Sequence, residues 1–229
     1  MCADETDQVL VEAIRADLRA AADPGRAPQM QAYMKSAMPC LGVRVPDVRT
    51  LVRAAARQRP PASAAALRDT VRALWFAARY REERYAATAL LDVPAARRLR
   101  VSRFIGLYAE LIVSGAWWDH VDEIAHRAGE LLLAFPADVR PAVRSWQRDP
   151  DLWLRRASII CQLGARGRTD VELLTESIAA NRTDRDFFIR KAIGWALRDY
   201  ARTDPDWVRG FVATRDLSPM SRREALKHL

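Results

Sequence analysis

Apolar residues recur at helical spacing along most of the chain. Sets with this spacing are Leu99, Phe104, Leu107 and Leu111; Ile159, Ile160 and Leu163; and Ile193, Ala196, Leu197 and Tyr200. Residues three or four apart share one face of an α-helix, so each set predicts an amphipathic helix with one buried face. No segment alternates apolar and polar residues as a half-buried strand would. The pattern therefore predicts an all-helical protein.

Several breaks between these sets carry helix-start or turn signals. Asp204-Pro205 and Ser218-Pro219 each place a capping residue before a proline suited to the first helical position. Asp149-Pro150 and Asp23-Pro24-Gly25 are typical of turns between helices. Further helices are predicted near residues 97–113, 137–147 and 171–180.

The chain is similar to itself at a step of 35 residues. Trp118, Trp153 and Phe188 stand 35 residues apart, and the last two open the segments Trp153-Leu154-Arg155-Arg156-Ala157 and Phe188-Ile189-Arg190-Lys191-Ala192. A repeat of this length indicates stacked helix pairs. No linker rich in Gly, Ser or Pro divides the sequence. We therefore expect residues 1–229 to form a single domain, a curved solenoid of about six helix pairs.

The charge of the chain agrees with a polyanionic partner. Net charge is +8 and the isoelectric point is near 10, which favours nucleic acid or another acidic partner. However, the chain has 34 arginines and only three lysines, a bias that a GC-rich genome would produce whatever the function. The repeated Arg-Arg and Arg-Lys pairs favour a basic stripe along one groove over a merely solvated helix edge, because they keep the same register.

The cysteines and the hydropathy pattern point to an intracellular protein without membrane partners. Cys2, Cys40 and Cys161 share no metal-ligand spacing, so reduced thiols in a cytosol are the simplest interpretation. The first residues are acidic and lack the apolar core of a signal peptide. The longest uncharged stretches are far shorter than the ~20 apolar residues of a membrane span. We expect a cytoplasmic location in a bacterium.

One acid interrupts the repeat. Ala87, Asp122, Ala157 and Ala192 stand 35 residues apart, so Asp122 occupies a column that is otherwise alanine. Trp118 precedes it by four residues and shares its helix face. Trp195, three residues beyond Ala192, falls on the same face of a later helix. Two indoles and a carboxylate suit a cationic group, with cation–π attraction of roughly 0.5–2 kcal/mol for each indole.

A reaction on DNA could supply such a cation. Alkylation of a purine at N3 or N7 makes the base positive, and breaking its glycosidic bond generates an oxocarbenium-like deoxyribose. A carboxylate beside that sugar stabilises the developing charge and orients the attacking water. A cationic base needs little or no general acid to leave, so one catalytic carboxylate could suffice.

Plainer interpretations remain open for single residues. A tryptophan at helical spacing is more often core than ligand, and Trp117, beside Trp118, is expected in the core. Asp119 could pair with a nearby arginine or cap a helix. His120 has no metal-ligand partner pattern, and His126 has none either. Lys191 could form a Schiff base for lyase chemistry, but it occupies the column of Arg156, which favours phosphate contact.

The run Trp117-Trp118-Asp119-His120-Val121-Asp122 resembles the signature of the AlkD-type alkylpurine DNA glycosylases. The resemblance extends over roughly residues 8–229. Further matches are Tyr33-Met34-Lys35; Leu41-Gly42-Val43 with Pro46 and Arg49; the segments beginning at Trp153 and Phe187; and Ser221-Arg222-Arg223-Glu224-Ala225-Leu226-Lys227-His228.

The resemblance implies a HEAT-like repeat fold with a concave basic groove for duplex DNA. It implies hydrolytic removal of cationic N3- and N7-alkylated purines by a monomer, with no metal and no organic cofactor. Asp122 would be the catalytic carboxylate, and Trp118 and Trp195 would contact the lesion deoxyribose. Residues expected to contact the DNA, chiefly its phosphates, are Arg156, Tyr33, Arg49, Arg190 and Lys191.

Val45 stands where the resembled family often has a hydroxyl residue before a proline, which puts one phosphate contact in doubt. Related glycosylases remove either small or bulky adducts, and the sequence does not assign the lesion. The alternative from another class is a catalytically silent helical-repeat scaffold that binds DNA or protein through the same groove. The joint presence of Trp118, Asp122, Trp195 and Arg156 favours the enzyme.

Overall fold

A computed structural model describes residues 4–229; the expectation of a reduced thiol at Cys2 lies outside the described residues. Residues 4–229 contain helices and no strands, which confirms the all-helical prediction. The chain divides into two compact units, one ending at Val101 and the other running Ser102–Leu229. The expectation from the sequence that the two units form a single domain stays a prediction.

The described part of the first unit, residues 4–101, contains six helices. They are α1 (Gln8–Ala20), α2 (Ala27–Met34), α3 (Val45–Gln58), α4 (Ala64–Phe76), α5 (Arg81–Leu90) and the short α6 (Pro94–Arg97). Helix α3 buries Val48, Val52, Ala55 and Ala56, a stripe at helical spacing, against α5 and α1. Helix α4 also packs on α5 and α1, so α5 contacts α1, α3 and α4 and is the centre of this unit.

The second unit consists of eight α-helices arranged as a repeat, with a short 3₁₀ helix at Arg166–Arg168. They are α7 (Phe104–Gly115), α8 (Trp118–Ala134), α9 (Pro136–Trp146), α10 (Leu152–Ile160), α11 (Val171–Asn181), α12 (Phe187–Tyr200), α13 (Pro205–Thr214) and α14 (Pro219–Ala225). Helices α8, α10, α12 and α14 pack on one another in succession. Helices α9 and α11 pack on each other and on α10. This stacking confirms the helical repeat.

The predicted helix starts agree with the structure. The Asp204 carboxylate accepts the Trp207 N–H at 2.9 Å, and the Ser218 hydroxyl accepts the Ser221 N–H at 3.1 Å. The predicted helix near residue 97 is wrong at its beginning, because α7 starts at Phe104. Residues 98–103 lie outside the helices, and repulsion among Arg97, Arg100 and Arg103, which are spaced at three residues, disfavours a continuous helix.

Two helical glycines mark close helix packing. A Cβ at Gly129 of α8 would lie 1.8 Å from the carbonyl oxygen of Cys161, at the end of α10. A Cβ at Gly194 of α12 would lie 2.5 Å from the Cβ of Glu224 in α14. Gly106 of α7 has nothing within 4 Å of that position. Close backbone packing thus explains the first two glycines, while Gly106 has no packing reason.

A buried carboxylate organises the loop before α3. Glu82, fully buried at the start of α5, accepts the N–H groups of Leu41, Gly42 and Val43 at 2.8, 2.9 and 3.2 Å. Gly42 has φ +88°, and a Cβ there would clash with the Asp23 carbonyl oxygen at 2.1 Å. The loop backbone is therefore fixed by an acid 40 residues away along the chain.

We expect Glu82→Gln to lower the free energy of unfolding by about 1–3 kcal/mol, the cost of leaving buried polar groups unsatisfied. The amide replaces one acceptor oxygen with a donor that faces backbone N–H groups. Urea denaturation followed by circular dichroism measures the change. Glu12→Gln, whose side chain is 55% exposed, is the control and should leave the midpoint unchanged; an equal effect of both variants would contradict the role of Glu82.

None of the helices in residues 4–229 is both long and apolar enough to cross a membrane. Cys40 and Cys161 are both buried. Burial raises the pKa of the Cys161 thiol to about 12, so this group is neutral and unreactive at physiological pH.

Candidate functional site

Most site residues of the second unit lie in the first two turns of three successive repeat helices, α8, α10 and α12, and Trp195 lies further along α12. Two of these starts are capped by an acid: the Asp151 carboxylate accepts the Trp153 and Leu154 N–H groups, and Asp186 accepts the Phe188 N–H at 2.7 Å. Helix α8 differs. It follows Ala116, which has φ 41°, and its N-cap residue Trp117 makes no side-chain cap. In α8 the acid that matters for the site, Asp122, lies within the helix and not at its N-cap.

An aromatic cluster joins the three helix starts. The Trp117 ring lies 6.1 Å from Trp153 and 5.8 Å from Phe188, and those two rings are 4.9 Å apart. Trp117 therefore packs in an aromatic cluster, although it is half-buried and not fully in the core as expected from the sequence. Because the chain turns at Trp117, the next residue, Trp118, presents its indole elsewhere.

Trp118 and Trp195 remain outside this packing. Both side chains are partly exposed, and within residues 4–229 neither indole makes an aromatic ring contact. Trp118 is the first residue of α8 and lies one helical turn before Asp122. Trp195 lies on α12, three residues beyond buried Ala192. Two indole faces are thus left for contacts outside the aromatic core.

Asp122 forms a two-bond ion pair with Arg156 of α10. Arg156 Nε donates to Oδ1 at 2.7 Å, and Nη2 donates to Oδ2 at 2.7 Å. The Arg156 side chain is only 4% exposed, while that of Asp122 is 19% exposed. The cation therefore approaches the carboxylate from the protein interior, and the carboxylate keeps an outer edge open to solvent.

Arg156 has a third partner on α12. Its Nη1 donates to the Phe188 carbonyl oxygen at 2.7 Å, and the guanidinium lies 5.9 Å from the centre of the Phe188 ring. One side chain therefore links α8, α10 and α12. This arrangement differs from a free cation waiting for a phosphate, because a phosphate contact by Arg156 requires it to exchange these partners.

The environment of Asp122 has opposing effects on its ionisation. Burial raises the pKa of the Asp122 carboxyl above its ordinary value of 3.8, and the hydrogen bonds and charge of Arg156 act against that rise. Asp119, three residues away on α8, adds a smaller upward contribution. The carboxyl is thus partly desolvated, with one buried cation favouring its charged form.

The other predicted DNA-contacting cations of this unit also have intramolecular partners. Arg190 donates from Nε to the Asp184 carbonyl oxygen at 3.2 Å. Lys191 Nζ lies 2.7 Å from the carboxylate of Glu224, which also pairs with Arg198. The Lys191 side chain is 43% exposed, so this pair is at the surface and can exchange partners at little cost.

Tyr33 and Arg49 belong to the first unit. Tyr33, near the end of α2, is 71% exposed, one of the most exposed large apolar side chains of residues 4–229. Arg49 is exposed on α3, and Val45 is the first residue of that helix. The structure thus leaves both predicted contact residues accessible on their own unit.

Within residues 4–229, no group of three or more His, Cys, Asp and Glu side chains is arranged to hold a metal ion. His120 is buried, and His126 lies 3.9 Å from Glu130. Independence from metals and cofactors stays a prediction.

Sequence reasoning missed the ion pair of Asp122. The signal was present in the sequence. Arg156 follows Asp122 by 34 residues, one residue short of the repeat step, so the two residues occupy nearly equivalent positions along adjacent repeat helices. Glu224 was also missed, although it follows Lys191 by 33 residues. An acid and a base separated by about one repeat length is the pattern that would have found both.

Comparisons with known proteins agree on one family. A family model described as DNA alkylation repair enzyme matches residues 14–229. A solved structure described as a predicted DNA alkylation repair enzyme from Enterococcus faecalis is 30% identical, with a TM-score of 0.77. The similarity covers 91% of this chain and 96% of that one. Among curated proteins, none is similar enough to count as a match.

Proposed function

Because the chain belongs to the DNA alkylation repair enzyme family, we propose that it is a monofunctional DNA glycosylase that removes cationic N3- or N7-alkylated purines from duplex DNA. It hydrolyses the N-glycosidic bond and so begins base excision repair of alkylation damage. The observation that carries the proposal is the Asp122 carboxylate, held from inside by Arg156 and open on its outer edge.

The chemistry requires a fixed negative charge beside the sugar. The bond between C1′ and the alkylated nitrogen breaks, and its electron pair neutralises the cationic base. The deoxyribose then carries the positive charge, which Asp122 stabilises at short range in a partly desolvated place. Water adds to C1′ and loses a proton, which we expect Asp122 to accept. The products are a neutral alkylpurine and an abasic site.

The two tryptophans complement this charge. Trp118 shares a helix face with Asp122, and its indole has no aromatic partner within the described residues. An indole face attracts a cation, and the attraction strengthens as the sugar becomes positive in the transition state. We propose that Trp118 and Trp195 contact the lesion deoxyribose.

Exposed cations and Tyr33 would hold the rest of the nucleotide strand. Lys191 would exchange Glu224 for a phosphate, and Arg190 and Arg49 would contact further phosphates. Such contacts make binding depend on salt and only weakly on sequence. Tyr33, exposed on α2, would lie beside the lesion nucleotide.

We expect the purified protein to release free N7-methylguanine or N3-methyladenine from methylated duplex DNA well above the spontaneous rate. Chromatography of the released base, with a no-protein control, measures this. No covalent adduct should form with borohydride, because Lys191 is not expected to act as a nucleophile. Absence of release from methylated and bulky-adduct DNA alike, with binding retained, would favour the silent scaffold instead.

A further inference from the structure

A carboxylate of α14 lies against two cations of α12. Glu224 Oε2 is 2.7 Å from Lys191 Nζ, and Oε1 pairs with the Arg198 guanidinium. The two cations are seven residues apart, so they stand two turns apart on one face of α12, with Trp195 between them along the helix axis. An acid is thus placed among the cations beside one of the tryptophans proposed to contact the lesion.

Helix packing fixes the position of this acid. A Cβ at Gly194 would lie 2.5 Å from the Cβ of Glu224, so a glycine is needed for α14 to come this close to α12. The hydroxyl of Ser221, in the same helix as Glu224, donates to the Arg190 carbonyl oxygen at 2.9 Å. The Glu224 side chain is only 13% exposed. The carboxylate therefore stays close to α12 when DNA arrives.

The two cations differ in their access to solvent. The Lys191 side chain is 43% exposed, and that of Arg198 is 21% exposed. Lys191 is therefore the cation that reaches a phosphate, while Arg198 keeps its pair with Glu224. A phosphate bound by Lys191 then lies close to a second negative charge that stays in place. Charges of like sign repel, and they do so more strongly at a protein surface than in bulk water.

We infer that Glu224 is a specificity-determining residue: it weakens the binding of phosphate by Lys191 and so limits the affinity for undamaged duplex. The repulsion acts at every position on undamaged DNA. At a lesion, the positive charge of the alkylated nucleotide offsets part of it, so the loss of affinity is smaller there. This inference rests on the proposed function, since it concerns how the glycosylase discriminates between damaged and undamaged DNA.

Fluorescence anisotropy titrations of undamaged duplex at several salt concentrations test the inference with Glu224→Gln. Glutamine keeps the size of the side chain but removes its charge, so Lys191 can bind a phosphate without a competing acid. We expect binding to become tighter by at least about threefold and the salt slope to become steeper by about one, the change for one more neutralised phosphate. Binding that is unchanged or weaker would overturn the inference.

Release of N7-methylguanine in the presence of undamaged competitor duplex gives a second measurement. The competitor concentration that halves release should be lower for Glu224→Gln than for the wild type, by about the same factor as the change in affinity. A purely structural role of Glu224 predicts slower release with unchanged sensitivity to the competitor, which would contradict the inference. Failure of the proposed function is distinguishable, because the wild type would then release no base, whereas the titrations of undamaged duplex would still measure the effect of Glu224.

Two further variants complete the test. Glu224→Ala removes the same charge and places a strong helix former in α14, so it decides the question if the glutamine variant does not fold. Glu176→Gln is the matched control, because Glu176 also pairs with an arginine, at 2.6 Å from Arg144, and its loss changes the net charge equally. Its affinity for undamaged duplex should stay within about twofold of the wild type. Equal tightening by the Glu176 and Glu224 variants would assign the effect to net charge alone and overturn the inference.

Discussion

Asp122→Asn should reduce release of alkylpurine by at least about a hundredfold, the loss typical when one group that stabilises transition-state charge is removed. Asparagine keeps the size and one acceptor oxygen, but it supplies no negative charge to the oxocarbenium-like sugar. Binding of undamaged duplex should survive, because the phosphate-contacting cations are unchanged. Single-turnover release and a parallel binding titration separate the two effects.

Two further variants make this prediction specific. Asp119→Asn removes an acid from the same helix turn and should leave release within about threefold, because it lies outside the repeat column of Asp122. Asp122→Asn leaves the buried Arg156 without its counter-charge, so its thermal stability must be checked. The double variant Asp122→Asn with Arg156→Gln removes both charges and should be inactive yet closer to wild-type stability. Undiminished release by either Asp122 variant would sink the catalytic assignment.

Gly129→Ala should destabilise the second unit by about 1–3 kcal/mol or more, the usual cost of overpacking. The added methyl group would lie 1.8 Å from the Cys161 carbonyl oxygen, so α8 and the end of α10 must separate. Alanine's better helix propensity, worth about 1 kcal/mol, cannot offset a backbone clash. Chemical denaturation measures the loss.

Gly106→Ala is the matched control and should have the opposite sign. Gly106 is also helical, but nothing lies within 4 Å of its Cβ position, so the substitution should stabilise by about 0.5–1 kcal/mol. A stabilising effect at Gly129 would contradict the close approach of α8 and α10.

Local features of the fold were predictable because they depend on short-range physics. Asp204 and Ser218 cap helices as expected, since a capping side chain and a following proline act within one turn. The repeat step was also visible, because each unit of a stacked array must bury the same face. The break in the helix at residues 98–103 was not predictable in this way. The apolar residues Leu99 and Phe104 indicated a helix there, although neighbouring arginines repel one another.

The candidate site was predictable as a position but not as an environment. The repeat register singled out Asp122, because an acid in an alanine column is visible in the sequence alone. Its pairing with Arg156 depends on the relative axial positions of adjacent helices, because the sequence separation of Asp122 and Arg156 is one residue shorter than the repeat step. Similarly, the register aligned Trp118 with Trp153 and Phe188, whereas the ring that packs with them is that of Trp117.

The attachment of Arg156 to three helices has a consequence for how this protein can change under mutation. A substitution of Asp122 alone leaves the buried Arg156 without its counter-charge and destabilises the fold. The acid is therefore needed for folding as well as for the chemistry. Its pairing with Arg156 therefore has a structural reason in addition to the catalytic one. We expect a related protein that has lost activity to keep Asp122 and Arg156 but to have other residues in place of the partly exposed Trp118 and Trp195. Trp118 and Trp195, which no aromatic neighbour holds in place, are the residues by which working and silent descendants can be told apart.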